Sequence, residues 1–234
     1  PSQNTRNHAD HHTLADRPLF APLGADRDHS DRFGADRSIA AASASAEKTP
    51  TVRSIVNKAK KLNDATTSAK ITFSQSGGSH TGSGTLEYAS GNRYRVTLPE
   101  RTIVSNGTKV WTHFPGKNQV IINRAGGAGQ MTPSDILQAF PGSYSTTLKG
   151  SDKVAGRAVW VVEATASGSK RAGDIANATL YIDKATHRFK RIKVTSPSIG
   201  SATITIKTAQ YNLSIGSGRF TFTPPSGAKV IDLS

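Results

Sequence analysis

Histidine and carboxylate side chains could supply acid–base catalysis or metal ligands, but their spacing in this sequence favours neither. Three of the seven histidines fall within residues 8–12, in a polar segment that would lose much conformational entropy if it formed a ligand cage. His80, His113 and His187 have no second ligand at a metal-binding spacing. The acidic residues beyond position 50 are scattered, which disfavours the paired carboxylates of a hydrolase. We therefore expect no catalytic residue, no metal site, no cofactor and no enzymatic activity.

Motifs for covalent or phosphate chemistry are absent from the sequence as well. There is no cysteine, which excludes a disulfide framework, a thiolate zinc site and a catalytic thiol. There is no G-x-S-x-G nucleophile turn, no H-E-x-x-H metal motif and no phosphate-binding P-loop. No apolar run approaches the roughly 18 residues that a membrane-spanning helix needs. The residues thus favour a binding protein over an enzyme.

The charge of the chain is strongly positive and unevenly distributed. Lys and Arg number 30 against 16 Asp and Glu, which gives a net charge of +14. Residues 1–50 hold six basic and seven acidic side chains, so the remaining 184 residues hold 24 and 9. A basic excess could bind nucleic acid, but aromatic residues are interleaved with it only at 93–95 and 187–191. We expect no nucleic acid as a partner, and a transient contact with an anionic membrane surface.

The first 48 residues differ in kind from the rest of the chain. They show no sustained apolar period, and they repeat Ala-Asp-Arg at a spacing of ten residues before a stretch of small residues at 38–46. Such a segment buries too little apolar surface to offset the entropy of ordering it. The sequence therefore predicts a disordered or flexible tail over 1–48 and a folded domain over 49–234.

The elements of the folded domain follow from its apolar periodicity. Residues 51–62 have a helical period, and apolar residues then alternate with polar ones in short runs joined by tight turns, among them Asn106-Gly107. A second helix is predicted over 132–140, with Thr132 as its N-cap. About eleven antiparallel strands and two or three short helices predict a mainly β fold. We expect an unclosed antiparallel β-barrel whose apolar face is covered by a helical lid.

The C-terminal residues carry a more specific pattern. The run 219–232, R-F-T-F-T-P-P-S-G-A-K-V-I-D, resembles the closing motif of the LolA family, periplasmic carriers of outer-membrane lipoproteins. Phe220 and Phe222 would point from a strand into the core. The runs 82–86 with 92–96, the hairpin I-V-S-N-G-T-K-V-W at 103–111 and the Thr132-Pro133 helix also resemble this family. The resemblance extends over roughly 50–234.

The resemblance implies a LolA/LolB-like half-barrel and a function. The chain would be a soluble, monomeric periplasmic carrier that shelters the acyl chains of lipoproteins in a hydrophobic cavity and moves them from the inner to the outer membrane. It would receive this cargo from an inner-membrane ABC release complex and pass it to an outer-membrane acceptor. Enterobacterial members have an arginine that tethers the lid, and the corresponding position here is Ser90. The sequence therefore does not predict that latch.

Candidate binding residues follow from combining the resemblance with the apolar periodicity. In the empty protein, lid side chains would fill the cavity, and acyl chains would replace them on loading. The predicted cavity wall consists of Tyr94, Val96, Leu98, Ile103 and Trp111. The predicted lid side chains are Ile55, Leu62, Ile136, Leu137 and Phe140. Two other functions stay open from the sequence: a lipid- or lipoprotein-sensing regulatory module of the same fold, and a polyanion-binding protein.

Overall fold

A computed structural model of the chain describes residues 49–78, 81–126, 144–167, 175–197 and 200–234. These residues contain one α-helix, α1, over Val52–Asp64. Two short 3-10 turns lie at Pro115–Lys117 and Ser217–Phe220. The strands are β1 Ser68–Gly77, β2 Gly82–Ala89, β3 Arg93–Thr97, β4 Thr102–Asn106, β5 Lys109–Phe114, β6 Gln119–Arg124, β7 Tyr144–Val154, β8 Arg157–Ala166, β9 Asn177–Asp183, β10 Phe189–Ser196, β11 Gly200–Tyr211 and β12 Lys229–Asp232.

The strands form a single sheet in the described part of the chain. Its order is β12-β6-β5-β4-β3-β2-β1-β11-β10-β9-β8-β7. The edge strands β12 and β7 are the two ends of this order, so the sheet is unclosed, as the sequence predicted. The sequence predicted about eleven strands, and twelve are present among the described residues. The additional strand is β12 of the closing motif, and it pairs with β6 in parallel.

Local sequence determines the tight turns between neighbouring strands. The Asn-Gly hairpin prediction is confirmed, since β4 and β5 pair across it with Ser105 opposite Val110. Gly107 has a φ of 94°, which glycine adopts without strain. A Cβ atom on Gly107 would overlap the carbonyl oxygen of Gly91, in the turn between β2 and β3. The two turns therefore lie in direct contact at one end of β3 and β4.

Helix α1 forms where the apolar periodicity predicted a helix. One side of it packs against the sheet. The hydroxyl of Thr51 accepts a 3.2 Å hydrogen bond from the backbone N–H of Ser54 and caps the N-terminus. Ile55, Val56 and Ala59 are almost completely buried. They belong to a hydrophobic core with residues of β1 and β7 to β11, including Ile71, Trp160, Leu180, Ile192 and Ile206. We call the side of the sheet that α1 covers the helix-side face.

The opposite side of the sheet, here called the outer face, is also covered in part. The 3-10 turn Ser217–Phe220 lies against β3 and β4. Phe220 is 1% exposed, and its ring lies 5.6 Å from the guanidinium of Arg93. The prediction that Phe220 and Phe222 lie on a strand is wrong, because residues 217–220 form the 3-10 turn and 221–225 are irregular. Arg95 donates to the carbonyl oxygens of Arg219 and Thr221, so this backbone is bound by a side chain rather than by a neighbouring strand.

Two predictions fall on residues beyond those described. The tail 1–48 lies outside them, and so does the second helix over 132–140 with its predicted lid residues Ile136, Leu137 and Phe140. Within the described residues, the helix is too short and too polar to span a membrane.

Candidate functional site

The register of the sheet brings three of the predicted wall residues together. Tyr94 lies opposite Tyr88, and Val96 lies opposite Leu86 on one side and Ile103 on the other. Directly opposed residues of antiparallel strands project from the same face. Leu86 and Tyr88 contact the core beneath α1, so Tyr94, Val96 and Ile103 lie on the helix-side face.

These residues belong to a row of side chains that crosses the sheet at a right angle to the strands. Each member lies opposite the next, one on each strand. Its members, here called the apolar row, are Leu86, Val96, Ile103, Thr112, Ile121 and Ile231. All six are half-buried. Beyond Leu86 the row reaches Ile71, which is buried in the core with α1.

The apolar row forms an uncharged surface of defined length. Its five steps at about 4.8 Å between neighbouring strands give a width of about 24 Å. The next row along the strands, Tyr94, Ser105 and Val110, is buried. The hydroxyl of Ser105 donates 2.8 Å to the carbonyl oxygen of Asn92, so this polar group is satisfied. The residues of the apolar row are therefore partly exposed to a ligand, whereas those of the next row are buried.

Trp111 does not lie on this surface. It lies opposite Val104 and Ile122, on the outer face, while Val110 and Thr112 take the helix-side positions of β5. Trp111 was among the predicted residues of the cavity wall, but the register of the Asn-Gly hairpin separates it from the others. Counting back from Ser105 opposite Val110 assigns Trp111 to the side of Val104.

Leu98 lies beyond the end of β3, in a different environment. It is 8% exposed and packs over Gly84 together with Phe73. A Cβ atom on Gly84 would lie 2.6 Å from both side chains, so the glycine makes room for them. Leu98 also lines a recess of about 440 Å³, which Thr72, Thr85, Thr97 and Lys207 share. Leu98 therefore lies two residues beyond Val96, past the end of β3, and is buried where Val96 is half-buried.

The C-terminal end of α1 is held by Arg188. One guanidinium nitrogen donates to the carbonyl oxygen of Leu62 at 3.1 Å and to the hydroxyl of Thr66 at 2.9 Å. The same guanidinium lies 3.9 Å from the centre of the Tyr211 ring. Burial raises the pKa of the Tyr211 phenol. Of the predicted lid residues, Ile55 is thus in the core and half-buried Leu62 is bound through its backbone.

Arg188 is positioned by the turn between β9 and β10. Buried Asp183 accepts hydrogen bonds from Arg157 Nε at 2.8 Å and from the backbone N–H groups of Ala185 and Thr186. The hydrogen bond from Arg157 lowers the pKa of Asp183 to about 2. The ring of His187 lies 5.1 Å from that of Trp160, and burial together with the charge of Lys58 lowers the pKa of the imidazole.

Ser90, the position of the family's lid arginine, makes a smaller contact. Its hydroxyl and its backbone N–H both donate to the carbonyl oxygen of Thr67, at 3.0 and 2.8 Å. Thr67 lies in the short segment that joins α1 to β1. Ser90 thus binds the segment between α1 and β1, whereas Arg188 binds the last turn of α1 itself.

On the outer face, an ion cluster attaches the C-terminal segment to the sheet. Arg219 Nε donates to a carboxylate oxygen of Glu87 at 2.9 Å, and Lys70 Nζ lies 3.9 Å from the other oxygen. Burial lowers the pKa of Arg95, and the neighbouring charge of Arg219 lowers it further. These charges lie on the side of the sheet opposite to the apolar row. Among the residues that the structure describes, no three His, Asp or Glu side chains come close enough to bind a metal ion.

Comparisons with known proteins agree with this fold. No protein-family profile matches the chain. It is 27% identical over 196 residues to an outer-membrane lipoprotein carrier protein of Methylibium petroleiphilum, a match that covers 82% of this chain and 93% of that protein. A protein of the same name from Dechloromonas aromatica is 27% identical over 142 residues, which cover 59% of this chain and 65% of that protein.

A solved structure has a similar fold. An uncharacterized conserved protein from Thermus thermophilus superimposes with a TM-score of 0.50 at 18% identity, covering 76% of this chain and 96% of that chain. This likeness concerns the fold alone. The chain is thus similar in sequence to outer-membrane lipoprotein carrier proteins, and its unclosed sheet agrees with the fold that its resemblance to the LolA family implied.

Proposed function

We propose that this protein is a periplasmic carrier that shelters the acyl chains of lipoproteins against the apolar row and moves them from the inner to the outer membrane. One observation carries the proposal: the helix-side face has a row of half-buried, uncharged side chains across six strands, beside the core that α1 forms on the same face. The names of the curated relatives support the same function.

The physical chemistry of the row suits reversible binding. Burial of an acyl chain gains about 0.8 kcal/mol per methylene group. A carrier must match enough of that gain to extract the chain from a membrane, and must still release it. A half-open apolar surface meets both demands, because it covers one side of the chain and leaves the other to a movable lid. Release then needs only a small difference in affinity between donor and acceptor.

The partners follow from this role. The cargo consists of acylated lipoproteins, the donor is an inner-membrane ABC release complex, and the acceptor lies at the outer membrane. Recovery of the protein from its native envelope, followed by mass spectrometry of what accompanies it, identifies the cargo. A lipidated protein in the complex supports the carrier function, and free lipid alone contradicts it.

A matched pair of substitutions tests the binding surface. Val96→Asp places a charge in the apolar row, whereas Thr97→Asp places the same charge on the next residue, which is exposed and projects from the other face. We expect Val96→Asp to weaken saturable binding of a fluorescent fatty acid to the full chain by more than tenfold, and Thr97→Asp to leave it within twofold. Equal affinities for both variants, or no saturable binding by the wild type, would refute the proposal. Thermal melting shows whether each variant is folded.

A further inference from the structure

The outward side of α1 carries positive charges that nothing else in the described structure neutralises. Arg53, Lys58 and Lys61 are exposed, and no carboxylate among the described residues pairs with them. The fourth cation of the helix, Lys60, binds Asp64 at 2.6 Å. Asp64 is the only acidic residue in the sequence of α1. Within the described residues, the helix therefore presents three cations without a carboxylate partner along its 13 residues.

Several cations of the sheet differ, because carboxylates on the same side engage them. Each pair lies within 4 Å in the described structure, and each joins a residue of one strand to a residue of another strand or of the C-terminal segment. These pairs are Arg219 with Glu87, Arg157 with Asp183, and Lys149 with Glu163. An anionic surface that approaches α1 thus meets cations that no carboxylate of the described residues offsets, whereas a carboxylate offsets the cation in each of these three pairs.

The cations of α1 lie on the same side of the sheet as the apolar row. The buried side of the helix lies on the same face of the sheet as the apolar row, and Ile71 links the two, since it lies in the core beneath α1 and opposite Leu86. A surface bound to the outward side of α1 therefore lies on the side of the sheet from which an acyl chain reaches the row.

We propose that α1 docks on anionic lipid headgroups through Arg53, Lys58 and Lys61, so that the helix-side face is turned toward the membrane during loading and release. The inference rests on the proposed function. Long, flexible cationic stems suit a diffuse layer of phosphates, and each such charge near an anionic bilayer strengthens binding by a similar amount. Single-stranded nucleic acid would need stacking aromatics beside the cations, and the outward side of α1 has none.

Vesicle flotation tests this docking with two variants of equal charge. One variant replaces Arg53, Lys58 and Lys61 by Gln. The other replaces Lys153, Lys207 and Lys229 by Gln, which are exposed at three separate places on strands. Vesicles contain phosphatidylglycerol and phosphatidylcholine, or phosphatidylcholine alone. We expect the full-length wild type to bind only the anionic vesicles, with an affinity that falls as salt rises.

The α1 variant should bind the anionic vesicles on the order of 100-fold more weakly, and the strand variant less than about tenfold more weakly. Equal losses in the two variants, or no binding of the wild type at low salt, would overturn the docking. Salt-sensitive binding to an acidic protein partner without binding to the vesicles would also overturn it. A fluorescent fatty acid without vesicles reports the acyl site separately, and we expect both variants to bind it as the wild type does. Loss of that probe from the wild type would count against the proposed function instead.

Discussion

Arg188 donates a 3.1 Å hydrogen bond to the carbonyl oxygen of Leu62, in the last turn of α1, across 126 residues of sequence. The last carbonyl groups of a helix lack partners within the helix, and a cation beside them is favourable. The same guanidinium stacks on Tyr211 of β11. One side chain therefore fastens the C-terminal end of the helix to the sheet.

Removal of this contact should loosen α1. We expect Arg188→Ala to lower the free energy of unfolding by about 1–3 kcal/mol, because a charged hydrogen bond and a cation–π contact are lost. Hydrogen exchange of the α1 amides should accelerate more than that of the sheet. Arg191→Ala is the control, since Arg191 also binds a threonine hydroxyl and lies 5.4 Å from a tyrosine ring, but on the outer face. Similar acceleration in α1 for both variants would contradict the role of Arg188.

The Asp183 carboxylate should make stability depend on acidity. Its pKa of about 2 in the folded protein lies below the ordinary value of 3.8, because Arg157 binds the charged form. Its contribution, about 2 kcal/mol, is therefore complete above about pH 4 and is lost as the pH falls through about 2. Urea unfolding between about pH 2 and pH 5 measures this loss. In Asp183→Asn, the free energy of unfolding should fall by about 2 kcal/mol less over this pH range than in the wild type. The same fall in both proteins would contradict this role of Asp183.

The outer-face ion cluster should fix the C-terminal segment. Glu87 is 8% exposed and binds Arg219, so Glu87→Gln leaves that guanidinium without its charge partner. We expect a loss of about 1–3 kcal/mol in the free energy of unfolding and faster proteolysis within residues 213–228. Glu163→Gln breaks a pair whose two side chains are half exposed, and should cost less than about 1 kcal/mol. Equal proteolysis of the two variants would show that the cluster does not hold the segment.

Local features of this fold could be predicted from the sequence. The helix period and the cap at Thr51 specify α1, and Asn106-Gly107 specifies a hairpin, because each depends on residues within a few positions. The alternation also put Val96 and Ile103 on one face, where the register brings them together.

Long-range pairing was not predictable in the same way. Val230 and Ile231 of β12 pair in parallel with β6, which lies far earlier in the chain, and no turn joins the two strands to set their register. Leu86 and Ile121 were not predicted as site residues, because their place in the apolar row depends on the register of several strand pairs at once. The separation of Trp111 from Val96 and Ile103 was not predictable for a related reason: β4 to β6 bury apolar residues on both faces, so hydrophobicity alone does not tell one face from the other.

The central claim is that acyl chains lie along the apolar row, and photocrosslinking tests it most directly. A fatty acid with a diazirine in its chain is bound to the full-length protein, irradiated, and mapped by mass spectrometry to single residues. Labelling should concentrate on Leu86, Val96, Ile103 and Ile121, and an unlabelled fatty acid should compete it away. Labelling concentrated on the outer face, at Trp111 and its neighbours, would contradict the claim.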